Sequence, residues 1–406
     1  MKMLASGGEK INLISSMVLL GFFAATLQSY VMGMYLGMSY PFNTFLFLPS
    51  VHQTDFTGLI NGCSGLNPYL QDNFSAQLPF CNYTAYLFSL FPLRISFLAY
   101  LIISFGPVAA LLYSEIRRFN DQPLINTFII VFLSYPVLFA ADRGNFEGIV
   151  FSLSLLYFYF LYTEDRPAIA AILIAFAIAL KGYPVIFVGV LILKSKYFYA
   201  FVALALGLLL SLGSLAIFSG GFTENLLFIS GGANFQHPAV NVFVTQPDLV
   251  QRGISLFTLS KVFIHLFGLS PLIDYNSLLA LYKVLSIGLL AVFCFLAWRV
   301  RISAWRTSCL LCSAAMLLPH LSAHYKLLLV FIPLYFYIRD QVAQPSGRLV
   351  AVIYGLLLIP KPYLRITSLQ SDAPGPDITC AVLLDPILLL MLVYLCCRGD
   401  RNPQYA

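Results

Sequence analysis

One long uncharged run decides the fold. Residues 197–218 read YFYAFVALALGLLLSLGSLAIF and contain no Asp, Glu, Lys or Arg. A helix needs about 20 consecutive apolar residues to cross a bilayer, and this run is long enough. Lys194 and Lys196 precede it, and basic residues are enriched at the cytoplasmic ends of spans. The run therefore predicts a transmembrane helix that begins at the cytoplasmic face.

The composition extends this prediction to the whole chain. Of its 406 residues, 60% are hydrophobic and 10% are charged, whereas a soluble domain carries about 25% charged residues. Too little polar surface remains to cover a protein folded in water. The sequence predicts an all-α fold, a polytopic transmembrane helical bundle, as a single integral membrane domain over residues 1–406.

Short basic clusters separate the apolar runs, and we place these clusters on the cytoplasmic side. The segments between them must then cross the membrane outwards and back. This pattern predicts about 12 transmembrane helices with both chain ends inside. Their expected positions are 11–38, 95–113, 123–140, 146–162, 167–180, 184–193, 197–218, 276–298, 307–319, 326–338, 348–360 and 380–397.

Two regions are predicted to hold short broken helices. Residues 167–193 contain enough apolar residues for one span, but the sequence Lys-Gly-Tyr-Pro at 181–184 interrupts them. Residues 307–338 repeat this design, with an interruption at 319–326. Non-helical backbone at membrane depth is tolerated only where it is buried in protein or lines a cavity. Both breaks are therefore candidates for the wall of an internal site.

Long segments are predicted on the extracytoplasmic side. Residues 39–93 form the first loop and contain neither Lys nor Arg. Residues 219–276 form the second segment, in which residues 253–269 predict a helix that lies at the membrane interface or re-enters it. A third outer segment spans residues 361–377.

Two of the eight cysteines, Cys63 and Cys81, fall in the first outer loop. A disulfide between them is possible if that loop faces an oxidising compartment. The other six lie in or beside predicted helices, where cysteine serves as a small apolar residue.

The sequence also limits the partners. Its net charge of +6 is explained by the cytoplasmic basic clusters. It contains no glycine-rich nucleotide-binding motif and no basic patch with interleaved aromatic residues. We therefore expect no nucleic-acid partner and no nucleotide cofactor, with membrane lipids as the surroundings.

Ionisable side chains collect near the outer ends of the predicted helices. They are Asp55 after the first helix, Asp142, Arg143 and Glu147 at the start of the fourth, Lys181 at the first break, and His320, His324 and Lys326 at the second. Such groups are costly at a membrane boundary and are functional candidates by default. Each of these residues also has a structural interpretation. Asp55 is then a solvated loop residue, Asp142 and Glu147 are charges at a helix N-terminus, and Asp142 with Arg143 is a local ion pair. Lys181 extends its amine to the lipid headgroups, and the histidines are packing residues.

A carboxylate that faces several cations suits one reaction in particular. The cations hold an anionic phosphate, and the carboxylate takes a proton from an attacking hydroxyl. Glycosyl transfer from a lipid phosphate requires this set, because its leaving group is a phosphate. No nucleotide site is needed when the donor arrives through the bilayer.

The order of the motifs carries a family resemblance. Asp55 precedes Asn67-Pro68-Tyr69, then come Asp-Arg-Gly-Asn-Phe-Glu-Gly at 142–148, Lys-Gly-Tyr-Pro at 181–184 and Ser-Ala-His at 322–324. From residue 50 to about 335, this order resembles the polyprenol-phosphate-mannose-dependent mannosyltransferases of the GT-C group, in glycosyltransferase family 87. The sequence departs from the family pattern at two points. Asn145 directly follows Gly144, where relatives often have an intervening Gln, and the first loop lacks the family's Pro-Pro element. Both weaken the assignment of mannose as the sugar.

The resemblance implies a role for each motif. The reaction is an inverting transfer of a hexose, mannose first, from a polyprenyl-phosphate sugar donor to a glycolipid or envelope glycan acceptor. Asp55 is the implied general base. The implied donor-phosphate contacts are Arg143, Lys181, His324 and Lys326, and the implied sugar or acceptor contacts are Asn145, Glu147, Tyr69 and His52. Neither a metal nor another cofactor is implied.

The location and two other function classes stay open at this point. We expect a multi-pass protein of the bacterial plasma membrane with its site facing the exterior, or alternatively of the endoplasmic reticulum membrane. An envelope glycan polymerase or ligase typically has arginine-rich outer loops, which residues 39–93 lack. A non-enzymatic transporter of lipid or sugar often has internal repeats around a midplane site, and no repeat is evident.

Overall fold

A computed structural model gives the fold. It describes residues 2–46, 52–66, 68–69, 77–230, 253–301, 303–340, 347–367 and 374–398. Contacts divide the chain into two compact units. Unit 1 comprises Met1–Leu46, Val108–Leu138 and Val250–Ala406, and unit 2 comprises Phe47–Pro107 and Phe139–Leu249.

Helices make up most of both units, which confirms the all-α fold. In chain order they are α1 (Lys2–Tyr30), α2 (Thr54–Cys63), α3 (Pro79–Ser89), α4 (Leu93–Ile116), α5 (Pro123–Phe132), α6 (Tyr135–Arg143), α7 (Glu147–Tyr162), α8 (Pro167–Leu180), α9 (Val185–Leu193), α10 (Tyr197–Leu215), α11 (Gly221–Ser230), α12 (Leu256–Leu266), α13 (Tyr275–Arg299), α14 (Ala304–Leu317), α15 (Phe331–Asp340), α16 (Gly347–Leu358) and α17 (Ala381–Arg398). A π-helical turn, Val31–Tyr35, continues α1, and a 3₁₀ turn, His324–Val330, precedes α15.

Long apolar helices confirm a polytopic membrane protein. Among the described residues, α1 with its π-helical extension, α4, α10, α13 and α17 are long and apolar enough to cross a bilayer, and α5 with α6 would add a sixth span. Other predicted spans are shorter helices, such as α8 with 14 residues and α9 with 9. The expected total of about 12 spans stays a prediction.

Of the predicted helices, 167–180 keeps both of its boundaries, and the others differ at one or both ends. The expected helix 123–140 is two helices, α5 and α6, bent by 54°. Pro136 lies in the first turn of α6 and has no N–H to continue the preceding helix, which explains the break. The expected helix 146–162 begins one residue later, at Glu147.

Both predicted interruptions are present. In unit 2, α8 ends at Leu180, Lys181 has extended backbone (φ −147°, ψ 127°), and α9 begins at Val185. Pro184 explains this end, because it has no N–H to bond to the Leu180 carbonyl oxygen and continue the helix. In unit 1, α14 ends at Leu317, and the chain resumes as the 3₁₀ turn.

An antiparallel pair of helices, α7 and α8, forms the centre of unit 2. Residues 163–166 connect the two helices, so the start of α7 lies beside the end of α8. Small buried residues let α10 approach α8 closely: a Cβ on Gly207 would lie 3.2 Å from the Ala175 carbonyl oxygen. Close approach at small residues is typical of membrane helix packing. The antiparallel α7–α8 pair therefore brings Glu147, at the start of α7, next to Lys181, which follows α8.

The segments predicted to be extracytoplasmic contain more secondary structure than the sequence predicted. The first loop, residues 39–93, includes α2 and α3. The helix expected within 253–269 is present as α12, whose N-cap Ser255 accepts a hydrogen bond from the Thr258 N–H. Its place at the membrane interface stays a prediction. The third segment holds an antiparallel pair of strands, β1 (Tyr363–Thr367) and β2 (Pro374–Thr379).

Candidate active site

The site in unit 2 begins at Asp55, in the first turn of α2. Gln53, two residues before Asp55, has a left-handed backbone conformation (φ 57°). Its N–H donates to the Asp142 carbonyl oxygen at 2.7 Å. This bond joins the start of α2 to the last turn of α6, so Asp55 faces the residues that follow α6.

The Asp55 carboxylate has a donor on each oxygen. Arg143 donates to Oδ1 in a salt bridge, and the Asn145 amide donates to Oδ2 at 2.9 Å. Gly144, between the two donors, has φ +65°, and a Cβ there would lie 2.6 Å from the Phe56 Cβ. Glycine suits this turn, because other residues rarely adopt positive φ. The two donors fix the orientation of the carboxylate.

Asn145 connects Asp55 to the break after α8. Its amide oxygen accepts hydrogen bonds from Lys181 Nζ at 3.0 Å and from the Glu147 N–H at 3.0 Å. The Tyr100 hydroxyl donates to the Asn145 carbonyl oxygen at 2.7 Å, which holds the turn from the side of α4. One amide side chain therefore links the carboxylate of α2 to the lysine after α8.

Glu147 and Lys181 form an ion pair. Glu147 is fully buried, and its Oε2 lies 3.2 Å from Lys181 Nζ. The Tyr183 hydroxyl donates to the other oxygen, Oε1. A buried carboxylate is stable only when it is paired and hydrogen-bonded. The pair thus fixes where the lysine amine lies.

An aromatic cluster packs behind these polar groups. The Phe56 ring contacts Phe88, Phe97, Tyr100 and Phe146, with ring centroids 5.2–6.1 Å apart. Aromatic pairs at such separations stabilise beyond the apolar area they bury. The cluster makes a rigid support for the turn that carries Arg143 and Asn145, as a preorganised site requires.

A second pair, Asp142 with His52, adjoins the first. Asp142 Oδ1 contacts Nδ1 of His52; the aspartate side chain is 5% exposed and the histidine side chain 50%. The sequence allowed Asp142 to be a charge at a helix N-terminus or a partner of Arg143. In the structure Asp142 lies in the last turn of α6, so the N-terminal interpretation is wrong for it, and its partner is His52.

The charges of this cluster are nearly balanced. Arg143 faces Asp55, and Lys181 faces Glu147. The expectation of one carboxylate facing several cations therefore needs correction for unit 2, where each of these cations has its own carboxylate.

Tyr69 is a buried aromatic residue of unit 2. Its ring is buried against Phe218 and Phe228, and its hydroxyl accepts a 3.4 Å hydrogen bond from Asn82. Burial raises the pKa of the Tyr69 hydroxyl to about 12. These contacts show a packing role, and its role as a sugar contact stays a prediction. Asn67, of the same motif, lies outside the described residues.

Cys63 and Cys81 are free thiols, and both are buried. Burial raises the pKa of each thiol to about 12, so both are protonated at neutral pH. The possible disulfide is not formed in the structure.

The remaining predicted residues belong to unit 1. His324 is fully buried, and its Nδ1 lies 2.8 Å from the Tyr135 hydroxyl. Lys326 is also buried. The break before them is supported by the chain just before α12, where the Ile254 N–H donates to the Ser322 carbonyl oxygen at 2.8 Å. Their roles at a donor phosphate stay predictions.

Within the described residues, no group of three or more His, Cys, Asp or Glu side chains is placed to hold a metal ion.

The family comparison assigns the chain. The model of glycosyltransferase family 87 matches residues 79–330, more than half of the sequence. The chain belongs to glycosyltransferase family 87. With its membrane-spanning helices, this family 87 protein is a membrane glycosyltransferase. No curated protein and no solved structure matches the chain significantly.

The matched range covers most of the polar network. It includes Arg143, Lys181 and His324 and begins after Asp55, so the proposed base lies outside it. Sequence reasoning gave no role to Tyr183, although it quoted this residue in the motif at the first break. The available signal was its position in the sequence, two residues after Lys181.

Proposed function

We propose that this family 87 enzyme moves a hexose from a polyprenyl-phosphate sugar to a glycolipid or envelope glycan acceptor, with inversion at the anomeric carbon. Mannose is the first sugar to test. The observation that carries the proposal is the Asp55 carboxylate, held between Arg143 and Asn145. A carboxylate held in a fixed orientation beside a cation suits a general base next to a leaving phosphate.

The proposed reaction is one direct displacement. Asp55 takes the proton from the acceptor hydroxyl, and the hydroxyl oxygen forms a bond to the anomeric carbon. The bond from that carbon to the phosphate oxygen breaks, and its electron pair leaves with the phosphate. Attack from the face opposite the leaving group inverts the configuration.

The leaving phosphate gains negative charge, and cations stabilise it. We assign this task to Arg143 and Lys181 of unit 2. For His324 and Lys326 of unit 1, contact with the donor phosphate stays a prediction that rests on the family resemblance. The Lys181 amine is held by Glu147 and Asn145, so it is oriented before the donor arrives. Because Glu147 is fully buried, we assign it to the positioning of Lys181 and keep Asn145 as the better candidate for a sugar contact.

The site is proposed to face the extracytoplasmic side. The basic clusters at the other ends of the helices support this orientation. In a bacterium the site faces the exterior of the plasma membrane, and in the endoplasmic reticulum it faces the lumen. A lipid-linked donor reaches either side from within the bilayer.

A transfer assay tests the proposal. Purified protein in lipid is incubated with polyprenyl-phosphate mannose or glucose and a glycolipid acceptor, and mass spectrometry detects a product one hexose heavier. Asp55→Asn is expected to lower turnover at least about 100-fold, the range for loss of a general base. The control Asp121→Asn changes an exposed carboxylate of unit 1 and should retain turnover.

Two outcomes contradict the proposal. Full turnover by a folded Asp55→Asn variant would remove Asp55 from catalysis. Movement of the donor lipid across sealed liposomes, without any glycosylated product, would favour the transporter instead.

A further inference from the structure

The inference concerns the His52–Asp142 pair, and it rests on the proposed function. This pair is adjacent in sequence to the Asp55–Arg143 pair on both of its elements. His52 precedes α2 by two residues, and Asp142 precedes Arg143 in the last turn of α6. Two acid–base pairs therefore join the same two chain segments side by side.

The histidine ring is held in one orientation. Its Nδ1 contacts the Asp142 carboxylate, and the next residue, Gln53, donates from its backbone N–H to the Asp142 carbonyl oxygen at 2.7 Å. Asp142 is nearly buried, whereas His52 is half exposed. Since the carboxylate occupies the Nδ1 side, the exposed part of the ring presents Nε2.

This arrangement suits a proton acceptor. A carboxylate on one ring nitrogen fixes the tautomer, so the other nitrogen has a free lone pair, and it stabilises the imidazolium after protonation. Histidine is also the side chain whose ordinary pKa lies nearest to neutral pH. The pair can take up a proton and release it to water.

A nearby acceptor would help to return Asp55 to its charged state. Both of its oxygens accept hydrogen bonds, from Arg143 and from Asn145. Once Asp55 holds the acceptor's proton, its ion pair with Arg143 is weakened, and the proton must leave before the next turnover. The base three residues earlier in the chain is His52.

We propose that His52, oriented by Asp142, takes the proton from Asp55 and passes it to water. The O–H bond of Asp55 breaks and its proton passes to a solvent water, which gives up one of its own protons so that an N–H bond forms at Nε2; the imidazolium then loses this proton to bulk water or buffer. The cycle ends with Asp55 and His52 in their starting states. The net products are the new glycoside, the polyprenyl phosphate and the released proton.

Chemical rescue tests the proposal. His52→Ala opens the position to solvent and is expected to lower kcat about 30-fold with little change in KM, because proton transfer contributes at this scale. Imidazole added at constant pH should restore at least about a third of the lost rate, by replacing the missing base. A structural role would not respond to a small base.

Matched variants separate proton transfer from positioning. His52→Asn keeps a donor for Asp142 but cannot carry a proton, so it should be as slow as His52→Ala. His265→Ala, in α12 of unit 1, should keep the full rate, and Asp55→Asn should gain nothing from imidazole.

Each result has a defined meaning. Full activity of His52→Asn, or no recovery of His52→Ala with imidazole, would overturn the relay while leaving Asp55 as the base. An absence of product with the unmodified protein would overturn the proposed transfer and the relay with it.

Discussion

Each unit contains a lysine beside a fully buried carboxylate, and the two pairs differ in their surroundings. In unit 2, Lys181 Nζ lies 3.2 Å from Glu147, and the lysine side chain is 18% exposed. In unit 1, Lys361 Nζ lies 2.8 Å from Asp385, and the lysine side chain is 5% exposed. Burial of the acid alone therefore does not distinguish them.

The neighbours of each pair make the difference. Lys181 also donates to Asn145, which reaches Asp55, and Tyr183 donates to Glu147. Lys361 has a further contact with the Ile359 carbonyl oxygen at 3.3 Å, and Asp385 lies within α17. Because the unit 2 pair continues into a polar network and the unit 1 pair does so less, we expect the first pair to affect turnover and the second to affect stability.

The largest effect is expected at the unit 2 lysine. Lys181→Gln removes one of the charges assigned to the leaving phosphate, and turnover should fall about 100-fold, as for loss of one stabilising group in a transition state. The transfer assay measures this loss. Lys361→Gln is the matched variant, and its turnover per folded molecule should be unchanged. Equal losses in both variants would remove the distinction between the pairs.

Stability is expected to respond in unit 1. Asp385→Asn leaves the Lys361 charge buried without its partner and should cost about 3 kcal/mol of stability. Thermal unfolding in detergent measures this change as a lower midpoint.

An apolar replacement is the control for this stability effect. Replacing both partners, Lys361→Met with Asp385→Leu, should recover the midpoint nearly fully, because an apolar pair carries no desolvation cost. A double variant as unstable as the single one would contradict a purely structural role.

The smallest effect is expected at the Tyr183 hydroxyl. Tyr183→Phe removes one hydrogen bond to Glu147, worth about 1 kcal/mol. If that energy acts through the position of Lys181, turnover falls roughly 5-fold, which steady-state kinetics resolves. Tyr282→Phe in α13, whose hydroxyl donates to the Leu317 carbonyl oxygen, is the control and should keep its rate. An unchanged rate in Tyr183→Phe would place that hydroxyl outside the network.

Local signals predicted much of the fold and part of the site. Proline and glycine mark the break at 181–184 because each affects the backbone conformation only of itself and its immediate neighbours. Uncharged runs such as 197–218 identify spans because a helix needs about 20 consecutive apolar residues to cross the bilayer. Asp55, Arg143, Asn145, Glu147 and Lys181 were singled out by motif order, and the structure brings these five together.

The partners within the site could not be predicted. The pairing of Glu147 with Lys181 depends on the relative lengths of α7 and α8, and His52 meets Asp142 across 90 positions of sequence. The helix α3 lay in a segment read as loop, although Pro79 at its first position is a helix-start signal. The strands at 363–379 were missed because only five or six residues form each.

The α7–α8 pair has a consequence for sequence change. The connecting turn at 163–166 lies one helix length, about 24 Å, from the ion pair. Lengthening α8 by one residue would displace Lys181 by about 1.5 Å and rotate it by roughly 100°. Insertions and deletions within α8 should therefore be rejected, because they change the register on which the Glu147–Lys181 pair depends.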